Sequence, residues 1–247
     1  LILYQPIFNA FVGLYDLIPD VGVVIFIITL VIKGALYPLT SKSIKAQKSL
    51  QDLQPKLETL KKEHKDDQQK LAQETMKLYR ENKVNPLGSC LPILIQLPIF
   101  LALYWVLRAG LAGESYELLY SFVPRPETLN TVSLGLIDLS QRSIVLALAA
   151  GLAQFWQARS LQRRRPPKQT RDKGGKDEDM MAMMNKQMLY GMPFLTFFIG
   201  LQFPGGLALY WFLSTFITAL QQTVLFRKKG SPDGGGIIEG TVVEEKK

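Results

Sequence analysis

Five stretches of the chain contain no charged side chain: residues 21–32, 90–107, 144–158, 189–203 and 205–226. Crossing a bilayer takes about 20 predominantly apolar residues, with a range of about 17–25. Lys33 alone interrupts the first run, and Gly34–Leu39 extends it to Leu39. The runs near fifteen residues match buried core helices by length, but five of them joined by charged loops define an all-α, polytopic membrane protein. The composition fits, with 47% hydrophobic and 20% charged residues confined largely to the loops. The expected spans are therefore 21–39, 90–107, 144–158, 189–203 and 205–226.

The basic residues orient these spans. Residues 1–20 hold no Lys or Arg, loop 40–89 eleven, loop 108–143 three, loop 159–188 nine and tail 227–247 five. Cytoplasmic loops carry the Lys/Arg excess, so the N-terminus is expected outside and the C-terminus in the cytoplasm. No basic n-region with a small-residue cleavage site opens the chain, so no cleavable signal peptide is expected. Residues 1–20 read as an amphipathic helix on the outer face, with Leu3, Ile7, Phe11, Leu14 and Ile18 at helical spacing and Tyr4 and Tyr15 at headgroup level.

Loop 40–89 predicts an antiparallel helical hairpin. Leu50, Leu53, Leu57 and Leu60 form one stripe, and Leu71, Met76, Leu78 and Tyr79 a second. Pro55 is expected to kink the first arm, and Asp66 or Asp67 to cap the second. Arms this short, with a narrow seam, predict a mobile hairpin. In loop 159–188 the basic, proline-broken first half reads as disordered. Its Arg163, Arg164 and Arg165 suit ribosomal RNA, anionic lipid or plain solvation. The methionines of 180–188 suit either nascent-chain contact or the membrane interface. Tail 227–247 has nearly balanced charge and no assigned role.

Little chemistry is available. One cysteine (Cys90) allows no intramolecular disulfide, and with one histidine (His64) no thiolate–imidazole metal cluster assembles. No nucleotide-binding motif and no nucleophile–base pair stands out, so neither cofactor, metal nor catalytic residue is expected. The polar residues within the spans are more informative. An ammonium at the bilayer centre costs about 2.5–3.5 kcal/mol on insertion scales, and such groups face a wet cavity or a partner. Lys33 either does so or snorkels to the cytoplasmic headgroups. Thr29 lies one turn earlier on the same face. Gln96, Gln154, Gln157, Gln221 and Gln222 add polar groups near cytoplasmic ends, while no span holds an acid. A water-filled recess open to the cytoplasm satisfies this pattern with least strain.

The stretches ALYPLTSKS, LQPKLETL, KVNPLGSCLPILIQLPIFLALYWVL and FPGGLALYWFLSTFITALQQ resemble the YidC/Oxa/Alb membrane protein insertases, and the resemblance runs from Leu3 to Phe226. It implies five spans around a hydrophilic groove closed outside and open to the cytoplasm and to lipid. It also implies a bacterial inner-membrane location and the compact core form, without the large periplasmic domain of some members. A groove cation would attract the acidic tail of a nascent membrane protein, whose apolar segment then slides into lipid without ATP. The resemblance places Lys33 where the family usually has an arginine, Thr29 at a groove threonine, Gln157 at a glutamine of the third span, and Trp211 at a substrate-contacting aromatic. Lys lacks the five-donor fork of Arg but keeps the charge. Nascent membrane proteins are the implied partners, with the ribosome and a Sec-type translocon as further candidates and a monomer as the implied state. The competing readings are a small channel or transporter, and an assembly chaperone that inserts nothing alone.

If charge attraction is the role of Lys33, Lys33→Arg retains insertion of acidic-tailed substrates and Lys33→Glu abolishes it. Equal activity of the Glu variant, scored by protease protection of the tail, removes charge attraction from the mechanism.

Overall fold

The structure is a computed structural model that describes residues 3–65, 67–85, 88, 91–112, 116–126, 129–162 and 187–228. The expectations placed on Asp66, on Cys90, on Arg163, Arg164 and Arg165, on the methionines of 180–184 and on 229–247 lie outside them. The helices are α1 (Tyr4–Leu17), α2 (Val21–Ala35), α3 (Tyr37–Asp52), α4 (Gln54–Glu63), α5 (Gln68–Glu81), α6 (Leu91–Ala112), α7 (Ile144–Gln162), α8 (Met192–Gly200) and α9 (Gly205–Lys228). A π turn at Gln187–Gly191 leads into α8, and between α6 and α7 lies a small antiparallel pair, β1 (Val132–Ser133) and β2 (Ile137–Asp138).

α7 and α9 are each long and apolar enough to cross a membrane, and α2 with α3 forms a third candidate bent by 68°. Shorter apolar cores occupy Leu94–Arg108 and Leu189–Gly200. The outward faces of the helices are apolar, and the interior combines an apolar core built on Phe8, Phe11, Ile25, Leu103 and Leu207 with a set of polar residues. Phe26, Leu30, Val31, Leu97, Leu101, Trp105, Leu148, Leu152, Phe194 and Phe198 point outward, while Thr29, Lys33, Thr196, Ser214, Thr215 and Gln222 are buried. Large apolar side chains meet lipid at no penalty, whereas polar groups and small residues belong between helices. Ala147, Gly151 and Gly200 show the packing benefit. A Cβ on Gly200 would come within 3.2 Å of the Ala147 Cβ, and one on Gly151 within 3.2 Å of the Pro193 carbonyl oxygen.

Three local outcomes differ from the sequence pattern. The run 21–39 is not one helix: α2 ends at Ala35, and the chain turns at Leu36 into α3. Pro38 explains this, because it has no N–H for the Gly34 carbonyl and is tolerated in the first turn of a new helix. Pro55 likewise stands in the first turn of α4, after a break at Leu53, so the first hairpin arm is divided rather than kinked. Asp67 does cap α5, accepting the Lys70 N–H at 2.9 Å. Neither α4 nor α5 has a buried side chain.

The buried face of α1 is Phe8, Asn9, Phe11, Val12 and Tyr15, so the expected stripe is rotated and Tyr15 leaves the surface. The polar members of that face have partners in the loop after α6. Asn9 Oδ1 accepts the Tyr120 N–H at 2.6 Å, its Nδ2 donates to the Leu118 carbonyl at 3.0 Å, and the Tyr15 hydroxyl accepts the Asn130 N–H. A pattern that assigns Asn to the outside cannot find this face.

Asp20 joins the same loop to α2. Its Oδ1 caps the helix, accepting the Gly22 and Val23 N–H groups at 2.8 and 3.0 Å, and also accepts the Ser133 hydroxyl at 2.7 Å. Its Oδ2 accepts the Leu134 N–H at 2.7 Å. Leu134 (φ 53°) and Gly135 (φ 70°) both adopt left-handed conformations in the tight turn, which is unfavourable for leucine; the bond to Asp20 helps to hold it. At α9 the Gly205 and Gly206 N–H groups donate to the Gln141 and Leu139 carbonyls at 2.7 and 2.9 Å. A Cβ at Gly205 would approach the Gln141 oxygen to 3.0 Å.

Burial raises the Asp20 pKa, but the bonds from Leu134, Ser133, Val23 and Gly22 outweigh it and hold the carboxyl below its ordinary 3.8. A lowered folded-state pKa stabilises above the unfolded value and is lost as pH falls through the folded one. Asp20→Ala is expected to lower stability by ~1 kcal/mol, the usual loss for an N-cap. The difference from wild type should shrink as pH drops below about 4, near the unfolded carboxylate value, in thermal melts of the detergent-solubilised protein.

Candidate functional site

Lys33 lies in the last turn of α2 and is only 7% exposed. Helix geometry aims it between α6 and α9. Its Nζ donates to Gln96 Oε1 of α6 at 3.3 Å and to Thr218 Oγ1 of α9 at 3.1 Å. Gln96 Oε1 also accepts the Ser214 hydroxyl at 3.3 Å, while Gln96 Nε2 donates to the Tyr210 hydroxyl. The Thr218 hydroxyl in turn donates to the Ser214 carbonyl at 2.8 Å. Two neutral oxygens, one from α6 and one from α9, thus hold the cation of α2, and Ser214 and Tyr210 hold Gln96 behind it.

The partners are neutral. Among the described residues Lys33 has no acidic partner, so its charge is solvated without being cancelled. A hydrogen bond to a charged group contributes about 1.5–3 kcal/mol net. Two of them offset the ~2.5–3.5 kcal/mol penalty of mid-bilayer insertion. The arrangement can hold a positive charge within an apolar bundle, and no more chemistry than that is required of it.

The other expected site residues sit differently. Thr29 is fully buried one turn above Lys33, and its hydroxyl donates back to the Ile25 carbonyl at 2.6 Å, so it does not bond the ammonium. Gln157 on α7 and Trp211 on α9 are half-buried, and neither hydrogen-bonds Lys33. Trp211 meets Phe100 of α6 edge to face, with ring centroids 5.5 Å apart. The structure therefore brings Lys33 together with Gln96, Tyr210, Ser214 and Thr218 rather than with Thr29, Gln157 and Trp211.

Tyr210, Ser214 and Thr218 were not singled out by sequence reasoning, although a signal existed. With Gln222 they recur every four residues, a polar stripe on a helix that is otherwise apolar. Gln222 is 2% exposed, and the carboxamide oxygens of Gln221 and Gln222 accept no hydrogen bond from the described residues. The stripe therefore extends polarity toward the C-terminal end of α9.

A buried cation solvated by neutral groups within a multi-helix apolar bundle defines the class: a polytopic helical membrane protein with an internal charged site. The family follows from comparison with known proteins. The family model described as 60Kd inner membrane protein matches residues 13–231, and the chain belongs to that family. It is a multi-pass inner-membrane protein. A protein of Tolumonas auensis named "Membrane protein insertase YidC" is 38% identical over 231 residues, covering 92% of this chain and 37% of the relative. A Shewanella frigidimarina protein of the same name is 38% identical over 221 residues, covering 89% and 34%. The chain thus spans little more than a third of these relatives. A solved structure described as an active YidC insertase, with its first transmembrane domain resolved, has a TM-score of 0.55 at 28% identity, covering 92% of this chain and 47% of the other.

Because the desolvation of the ammonium and its two hydrogen bonds offset each other, replacing it with an apolar side chain of similar length should change stability little. Lys33→Met is expected to melt close to the wild-type temperature in detergent. A midpoint well below wild type would mean that the bonds to Gln96 and Thr218 more than offset desolvation.

Proposed function

We propose that the chain inserts newly made membrane proteins into the bacterial inner membrane; its relatives are named membrane protein insertases. The observation that carries this reading is Lys33: a cation inside the bundle, solvated by neutral groups and without an acidic partner among the described residues. A channel for a neutral solute needs no such group, whereas a site that receives a carboxylate-bearing tail does. In this reading five helical segments enclose a polar groove open to the cytoplasm, with the N-terminus outside. The groove residues are Lys33, Thr29, Gln157 and Trp211, joined by Gln96 and the polar stripe of α9. The hairpin α4–α5 lies on the cytoplasmic side.

The energetics need no nucleotide. α2 has 15 residues, a length of about 22 Å against a hydrocarbon thickness of about 30 Å, so a polar inner half leaves a thinner barrier. Transfer of an apolar segment into lipid supplies about 0.3–0.6 kcal/mol per Leu, Ile, Phe or Val. The loop 129–141, held to α1, α2 and α9 by the bonds of Tyr15, Asp20, Gly205 and Gly206, covers the end of the bundle where α1 ends and α2 and α9 begin. Such a cover opposes a through-pore and supports insertion over solute transport. The ribosome and a Sec-type translocon are proposed partners, with the basic segment at Arg163, Arg164 and Arg165 a proposed polyanion contact, and the working unit is a monomer.

Purified protein in liposomes, presented with a single-span protein bearing an acidic N-terminal tail, should protect that tail from protease above the level of empty liposomes. Protection no greater than in empty liposomes would sink autonomous insertion and favour the partner-dependent chaperone.

A further inference from the structure

We propose that Gln96 is the positioning residue that keeps the Lys33 charge in place and uncancelled, so that one ammonium donor stays free for a carboxylate on a substrate tail. This deepens the insertase reading and rests on it.

The argument starts from the donor count. An ammonium has three donors; Lys33 uses one on Gln96 and one on Thr218, which leaves one without a partner among the described residues. The Gln96 carboxamide cannot rotate freely. Its Nε2 is directed at the Tyr210 hydroxyl oxygen, and its Oε1 receives both Lys33 and Ser214. Flipping the amide would set its donor against the Lys33 ammonium, which has no acceptor, whereas the Ser214 and Tyr210 hydroxyls can donate or accept in either arrangement. Tyr210, 1% exposed, is locked by packing and so fixes the amide. Thr218 is fixed independently through the Ser214 carbonyl.

Neutrality of the clamp is the second point. A carboxylate at the position of Gln96 would hold Lys33 equally well in space, but would form an ion pair and remove the attraction for an incoming acid. A carboxamide keeps the geometry and leaves the charge. Gln96 acts through Lys33 and need not touch the substrate.

The test separates binding from insertion. Two tail peptides, one with Asp and Glu and one with Asn and Gln at the same positions, are bound to the full chain in nanodiscs, and the ratio of their affinities is read. Gln96→Glu is isosteric, and Tyr210, Ser214 and Lys33 can all donate to it, so the fold should survive; a thermal melt checks this. The proposal expects the acidic-to-neutral ratio to fall roughly tenfold, in the range of close charge-pair effects at interfaces. Gln96→Leu and Tyr210→Phe should each lower the ratio by less, and the double variant should be no worse than Gln96→Leu, because both act on one contact. A Gln96→Glu protein that keeps the wild-type ratio overturns the proposal. So does parallel loss of both peptides with an unchanged ratio, which marks a merely structural role. Should the expected ratios appear while the liposome assay shows no insertion, the clamp stands and the insertase reading fails.

Discussion

A lysine ammonium inside a bundle of apolar helices needs polar partners from its neighbours, and that need organises the interior. α2 carries the charge, α6 brings a carboxamide, and α9 brings a stripe of hydroxyls one turn apart. None of these groups would be stable facing lipid alone. Together they form a site in which each atom has a reason to face the others, beside an apolar core built on Phe8, Phe11, Ile25, Leu103 and Leu207. The polar stripe of α9 is thus arranged around one cation.

The other end of the bundle has a different logic. Asp20, Gly205, Gly206, Asn9 and Tyr15 bind backbone groups of the loop after α6, so that a segment with little regular structure is tied at several points. Each bond satisfies a polar group that would otherwise lack a partner within the fold. Gly22 belongs to this arrangement, since a Cβ there would overlap the Ser133 hydroxyl that Asp20 accepts. One end is thereby held by many backbone bonds, while the hairpin α4–α5 at the other has no buried side chain.

The chain belongs to the 60Kd inner membrane protein family and spans little more than a third of the relatives' length. The lysine is the informative departure from the arginine that the family resemblance implies. A guanidinium offers a planar fork that grips a carboxylate in two places, whereas an ammonium is a point charge whose aim depends on its surroundings. That difference makes the neutral clamp around Lys33 more consequential here than it would be around an arginine.

Much of this was legible in the residues themselves. The five uncharged runs marked helices at 91–112, 144–162, 192–200 and 205–228 as well as α2, because charge exclusion over such lengths admits few other structures, and Lys33 stood out as the one charge within a run. Pro38 and Pro55 contained the helix breaks, although apolar continuity hid the first. The buried place of Asn9 was not legible, because its partners, Leu118 and Tyr120, are more than a hundred positions away, and no periodicity reports a backbone that distant. Sequence alone determined the class, most of the helices and a charge within an apolar run, since these depend on local hydropathy and charge. Only the tertiary structure decided that Lys33 is buried rather than snorkelling, and that Gln96 and Thr218 rather than Thr29 bond it, because that depends on how three helices rotate against one another.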